Sequence, residues 1–322
     1  MIIKKIRMLI KENKGKEGLQ QSKSEMVKEI GNITKKKDKE NNQYQEKERE
    51  IRRDKVFIKV FRANSIQNDQ LNRYDIFEVP VLRSTTVLSA LMYIKEHLDS
   101  SLCIRYSCRM ASCGSCGMKI DGIPRLACYT KVSELKGDTI TCDPLSNFPH
   151  IRDLVTDFTQ FFGHHKDMQP YFPNEYGTKT TSDNGMPSAA ADDSINLSEF
   201  IQTPSDIDKF AQFSYCIKCG LCYSACPTVA MDTRFPGPQA LAQAYRYFAD
   251  SRDSTPRNDR LSIVDNKHGI WRCHFAGSCS KVCPKGVDPS LGIQLLRSQL
   301  LSFSKSEKKI AELRKRAANK SD

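Results

Sequence analysis

Cysteine spacing limits what this chain can fold into more than any other property. From residue 216 it reads Cys216-x2-Cys219-x2-Cys222-x3-Cys226-Pro227, a run that offers three thiolates to one iron-sulfur cube while the fourth reaches a second cluster. A second copy, Cys273, Cys279 and Cys283-Pro284, carries Ala276 at its second ligand position, where alanine has no donor atom. If each fourth cysteine crosses over, Cys216, Cys219, Cys222 and Cys283 enclose a 4Fe-4S core, leaving Cys226, Cys273 and Cys279 for its neighbour. Three thiolates are matched most simply by a 3Fe-4S cluster. A lone CxxC is often zinc or a redox pair, but zinc usually takes four ligands from two well-separated pairs, not a recurrence every third residue in two copies. Disulfides fit no better, since nothing marks secretion and cysteines this close make poor staples.

Upstream, Cys108-x4-Cys113-x2-Cys116 with the distal Cys128 has the plant-type spacing for a 2Fe-2S cluster. Gly114 and Gly117 let the backbone approach closely, so that N–H groups face the sulfur where negative charge rises on reduction. A loop-bound zinc site is the alternative, and this spacing is more specific than a lone CxxC. Cys103 and Cys142 have no partner at a ligand spacing and read as small core residues.

A chain of 322 residues has room for two domains with cores. Thirteen cysteines without a secretory signal point to a reducing compartment in which thiols serve metals. The formal charge of +12 suits nucleic acid, an anionic membrane surface or an acidic subunit. Much of it lies in residues 1–54, rich in Lys, Glu, Asn and Gln and poor in aromatics, which reads as a basic disordered extension, either a tether to anionic lipid or a solvated tail. A nucleic-acid-binding module would interleave basic and aromatic residues on a folded surface, so no nucleic-acid partner is expected. Glu12, Glu17, Glu25 and Glu29 argue against an import signal, and a non-targeted prokaryotic chain is expected. No stretch reaches the roughly 20 apolar residues that span a bilayer, so any membrane contact is peripheral.

The texture turns strand-like at Val56–Phe61, with Asp75–Val81 as its hairpin partner. Ser84-Thr85-Thr86 caps a helix carrying Val87, Leu88, Leu91, Ile94 and Leu98. Met118–Ile120 and Leu126-Ala127 form a hairpin about Asp121-Gly122. Ile151, Leu154, Val155, Phe158, Phe161 and Phe162 fit one amphipathic helix, with His164-His165 behind it facing solvent. A Gly-, Ser- and Asn-rich linker covers about Pro173 to Leu197. Helices then begin at Pro204, Pro238 and Pro289. The expected fold class is α+β. A plant-type 2Fe-2S ferredoxin-like β-grasp domain (55–150) is followed by a connecting helix and linker (151–200), an α-helical bacterial-type ferredoxin domain (201–304) and a charged tail (305–322). Three clusters in series make a wire for single electrons. Without a G-x-G-x-x-G after a strand, neither flavin nor nicotinamide has a home here.

The segments Ser107–Met118, Asn147–Leu154, Cys216–Cys222, Asp250–Asp253 and Cys279–Lys285 together resemble the iron-sulfur subunit of succinate dehydrogenase and fumarate reductase, over about Lys55 to Ser304. The resemblance implies a complex in which a flavoprotein subunit interconverts succinate and fumarate on FAD, and electrons cross 2Fe-2S, 4Fe-4S and 3Fe-4S clusters to a quinone at membrane-anchor subunits. It implies a peripheral place on the cytoplasmic face of a prokaryotic membrane, or the matrix face of the mitochondrial inner membrane. Pro227, His274, Gln294 and Arg297 match positions that line the family's quinone site, with arginine where fumarate reductases have lysine. Ala230 and Met231, in place of a tryptophan pair, and Trp271 resemble fumarate reductases, whereas His274 resembles the dehydrogenases. An iron-sulfur subunit of another oxidoreductase with a non-quinone acceptor has the same ligand spacing.

Overall fold

The computed structural model describes residues 54–64, 69–172 and 202–302. Residues 1–53, the linker after residue 172 and the tail after residue 302 lie outside them. The described residues from Lys55 on belong to one compact unit.

Alternation builds its first layer. In β1 (Lys55–Asn64), Val56, Ile58 and Val60 are buried while Phe57 is exposed, the period of two that places one strand face on a core. β2 (Asp69–Pro80) pairs antiparallel with β1, setting Lys59 opposite Ile76 and Val60 opposite Asp75. α1 (Val87–Tyr93) starts at Thr86, whose hydroxyl accepts the Ser89 N–H while Ser89 returns the bond in a capping box. Its Val87, Leu88 and Leu91, with Ile94 just beyond, fill the layer against the sheet. β3 (Gly117–Ile120) and β4 (Ile123–Leu126) pair about Asp121 and Gly122. Both turn residues have positive φ, as a two-residue type I′ hairpin requires. β5 (Thr139–Asp143) lies parallel to β1, with Ile58 opposite Ile140 and Val60 opposite Cys142. A helix crossing a mixed sheet with this central parallel pair is the β-grasp arrangement. Cys142 is fully buried, as expected, and Cys103 half-buried.

The helix expected from Ile151 begins later. Residues 150–156 form a hairpin, β6 (His150–Arg152) and β7 (Val155–Thr156), that joins the sheet where Arg152 pairs with Asn64. Only Thr159–Asp167 is helical (α2). The apolar spacing was real, but a buried ion cluster overrides it. Asp153 sits at φ 47 in the tight turn, accepts from Arg62 Nε at 3.1 Å and from the Cys103 N–H at 2.8 Å. Arg62 also donates to Ser101 Oγ at 2.7 Å and pairs with Asp99. Asp157 then accepts the Thr159 N–H at 2.8 Å, an Asx turn that leads into α2. Arg62→Ala would leave Asp153 charged and buried without its partner. A loss of about 3–5 kcal/mol of stability follows, to be read as a lower urea midpoint by circular dichroism.

The second layer is helical. Thr203 caps α3 (Pro204–Asp208) with proline in its first turn, and α4 (Ala211–Ser214), α5 (Leu221–Ser224) and α6 (Pro227–Met231) follow around the cysteines. α7 (Gly237–Ala249) is the central helix, then α8 (Arg257–Val264), α9 (Ser278–Lys281) and α10 over 289–302. Phe213, Tyr223, Phe235, Leu241, Ile293 and Leu296 form its core, joined by Phe161 of α2. Asp250, buried at the end of α7, takes a two-point contact from Arg252 at 2.9 and 2.7 Å. Asp253 does the same for Arg260, both nearly inaccessible. The Asp250–Asp253 segment therefore anchors the loop between α7 and α8. Sheet and helices thus make an α+β molecule.

Candidate metal centres

The loop before β3 curls because Arg109, Ala111 and Gly114 all take left-handed backbone, which turns successive N–H groups inward into a nest. Ser112 and Cys113 each donate to Cys108 Sγ at 3.2 Å, Ala111 donates to Cys128 Sγ at 3.3 Å, and Cys128 N–H to Cys116 Sγ at 3.4 Å. Cys108 and Ser115 donate to Cys113 Sγ at 3.5 Å. All four predicted residues of the first centre are therefore brought together, three from the loop and Cys128 just past β4. Their surroundings differ. The Ser115 hydroxyl, helped by backbone N–H groups, holds the exposed Cys113 thiol down to about 6, whereas burial pushes Cys116 up to about 12. A donor-lined ring of sulfurs of this kind fits an inorganic core whose positive iron favours thiolate and whose sulfides accept the same donors.

Gly114 is where this loop meets the helical half. A Cβ built there would stand 2.7 Å from Cys219 Cβ and 2.9 Å from its Cα. The first centre's loop thus lies in van der Waals contact with a cysteine of the next one. Gly114→Ala combines this clash with left-handed strain of about 1–3 kcal/mol. A lower melting temperature is expected, with slower electron passage between the first two centres in freeze-quench spectroscopy.

Cys216, Cys219, Cys222 and Cys283 line a single cavity, with Gln239, Ala242 and Val287 in its wall. Burial raises the thiols of Cys216, Cys219 and Cys222, and each also feels the charge of Cys283. Crossing over of the fourth cysteine is therefore geometrically present. On the other side, Cys226 and Cys279 are buried. Burial first, then the charge of Cys279, raises both Cys226 and Cys273. Thr228 and the N–H of Val229 oppose that rise at Cys226, and the Phe275 N–H lies 3.5 Å from Cys273 Sγ. Among the described residues no three cysteine, histidine or acidic side chains close on one point as a single ion requires. Cys216, Cys219, Cys222 and Cys283 stand around a cavity instead, as a core with its own sulfides would need.

The two runs are conformational copies. Lys218 and Gly220 flank Cys219 with positive φ, and Phe275 and Gly277 flank Ala276 in the same way, at φ 54 and 77 against 55 and 71. Ala276 therefore occupies the backbone counterpart of Cys219.

The four residues assigned to a quinone site separate in character. Pro227, His274 and Gln294 are exposed, while Arg297 is half-buried. Arg297 donates to the Ile270 and Cys273 carbonyls at 2.8 and 2.9 Å and covers the Phe275 ring, its charge favouring the Cys273 thiolate. It braces the ligand loop. Trp271 is bonded through Nε1 to Asp265 at 2.6 Å. His164 and His165, expected in solvent, are half-buried. His165 Nδ1 lies 3.2 Å from Gln239 Nε2, and burial lowers its pKa. Residue spacing did not disclose Gln239, Thr228 or Asn147, because no ligand period includes them. Asn147 Nδ2 donates to the carbonyls of Tyr223, Ser224 and Cys226 at 3.0–3.1 Å, tying the sheet half to the end of the first run.

Comparison with known proteins bears on what these centres belong to. The profile of a 2Fe-2S iron-sulfur cluster binding domain matches residues 57–163, and that of a 4Fe-4S dicluster domain matches residues 212–287. The fumarate reductase iron-sulfur subunit of Haemophilus influenzae is 41% identical over 236 residues, spanning 73% of this chain and 89% of that one. The chain belongs to the fumarate reductase and succinate dehydrogenase iron-sulfur subunit family. The Mycobacterium tuberculosis fumarate reductase iron-sulfur subunit is 39% identical over 259 residues, covering 80% of this chain and 96% of its own. The Paracoccus denitrificans succinate dehydrogenase iron-sulfur subunit is 35% identical over 216 residues, covering 67% and 76%. Among solved structures, the Mycobacterium smegmatis Sdh1 complex in the apo form has a chain that superposes with a TM-score of 0.64 at 22% identity, over 77% of this chain and 96% of that one. That likeness shows the fold. Within the family, the Asn147–Leu154 segment has a physical reading: Asn147 clasps the second half and Asp153 anchors the first. No helix among the described residues is long and apolar enough to cross a membrane.

Proposed function

We propose that this subunit carries electrons between FAD on a partner flavoprotein, where succinate and fumarate are interconverted, and a quinone at a membrane anchor, while lying peripherally on the cytoplasmic face. Cys108, Cys113, Cys116 and Cys128 hold a 2Fe-2S cluster in this reading, Cys216, Cys219, Cys222 and Cys283 a 4Fe-4S cluster, and Cys226, Cys273 and Cys279 a 3Fe-4S cluster. Such clusters take up and release one electron at a time. In this reading the chain's own residues would hold them in line. Gly114 lets the loop of the first centre touch Cys219, and the exchange of Cys226 and Cys283 between the two runs would set the second and third centres side by side. Pro227 and His274, exposed and next to Cys226 and Cys273, and Gln294, exposed on α10, would meet the quinone. Arg297 would act behind them by holding the ligand loop.

The observation that carries this reading is the placement of Cys283 in one cavity with Cys216, Cys219 and Cys222. Electron paramagnetic resonance of the complex assembled with its flavoprotein is the test. An oxidised 3Fe-4S signal, with two further clusters that become paramagnetic when succinate or dithionite reduces them, is expected. Stoichiometric zinc without iron on elemental analysis would overturn it.

A further inference from the structure

Gln239 is a polar residue in a place where the helix core calls for none. It lies in the first turn of α7, 2% exposed, among Leu241, Ala242 and Tyr245 of the helical core. Its side chain forms part of the wall of the cavity shared by Cys216, Cys219, Cys222 and Cys283. One end of the amide meets His165 Nδ1 at 3.2 Å. The other, Oε1, is buried with no hydrogen-bond partner. A buried amide group left unpaired is destabilising, so a glutamine here needs a partner that protein atoms do not provide. The amide also lies close enough to Cys216 for its hydrogen bond to favour the thiolate.

The two ends of a glutamine amide are interchangeable by a half-turn, and the hydrogen-bond network decides between them. His165 can donate from Nδ1 to the amide oxygen. That orientation puts the NH2 group, with its two donors, where the unpartnered oxygen stands. The amide lies in the cavity wall beside Cys216, and a donor there suits a negatively charged group better than an acceptor. We propose that Gln239, oriented by His165, donates a hydrogen bond to sulfur of the cluster held by Cys216, Cys219, Cys222 and Cys283, and so raises that cluster's reduction potential. The inference rests on the ligand assignment proposed above. A donor to sulfur stabilises the more negative, reduced cluster more than the oxidised one, so losing it disfavours reduction. His165 is a positioning residue, acting only through the amide.

Redox-poised electron paramagnetic resonance on the full complex tests this. Gln239→Leu is one atom shorter, entirely apolar and has no donor. It is expected to shift the 4Fe-4S reduction equilibrium about tenfold toward the oxidised form, about 59 mV for one electron, with the 2Fe-2S and 3Fe-4S potentials unchanged. His165→Phe, which releases the amide, is expected to shift the same potential in the same direction by less. A Gln239→Leu complex with full 4Fe-4S content and an unshifted potential overturns the inference. So does an equal shift of all three potentials, which would report a general structural change. If Gln239→Leu assembles without the cluster, His165→Phe decides by the same criterion: the selective shift supports the inference, and an unshifted potential overturns it. A wild-type complex lacking any 4Fe-4S signal would instead strike down the ligand assignment itself.

Discussion

Replacing Cys283 with alanine is expected to abolish the 4Fe-4S signal and leave the 3Fe-4S signal in place, although Cys283 belongs to the second cysteine run. Replacing Cys226, the last member of the first run, is expected to do the reverse. The reasoning is geometric. Cys283 shares a cavity wall with Cys216, Cys219 and Cys222, and Cys226, Cys273 and Cys279 do not line that cavity. If each run served its own cluster, the two variants would exchange phenotypes, so spin quantification of both separates crossed from uncrossed ligation without ambiguity. Each outcome is a whole cluster lost or kept, larger than any tuning of potential. Electron flow to quinone should cease in both variants, because a series conductor fails at any missing step.

The parts of this molecule that were legible in advance are those where one local rule governs. Thiolate spacing picked out the four cysteines that the structure gathers in the first loop and the four that line one cavity, because iron-sulfur ligation depends on short sequence intervals. The Asp121-Gly122 hairpin and the Thr86 cap followed from turn and capping chemistry that involves few residues. The failure at residues 150–156 has the opposite cause. Ile151, Leu154 and Val155 fit a helical period, yet Arg62, distant in sequence, draws Asp153 into a turn, and no window around residue 153 contains that information. His165 was misread for the same reason. Its environment is set by Gln239, which arrives from a helix on the far side of a linker. The residues assigned to a quinone site by resemblance show a third case: Arg297 could be matched to a position, but its commitment to the Ile270 and Cys273 carbonyls is visible only in three dimensions.

Ala276→Cys is expected to convert the third cluster from 3Fe-4S to 4Fe-4S. Cluster nuclearity at that site depends on whether a fourth sulfur is within reach, and the backbone already provides the position. Phe275 and Gly277 hold Ala276 between two left-handed residues as Lys218 and Gly220 hold Cys219, so a thiol at 276 would project as the corresponding ligand does in the first run. Gly277 has nothing within 4 Å of its missing Cβ, and Ala276 is exposed, so one added sulfur meets no packing penalty. The oxidised 3Fe-4S resonance should disappear, replaced by a second cluster that is paramagnetic only when reduced. Its potential should fall, because a fourth thiolate adds negative charge that opposes electron entry. The last step toward quinone then becomes uphill, and quinone reduction should slow while electron delivery from succinate to the first two clusters continues. Persistence of the oxidised three-iron resonance in a fully loaded Ala276→Cys complex would mean that residue 276 does not face the cluster, and the conformational equivalence of the two runs would not extend to their ligands.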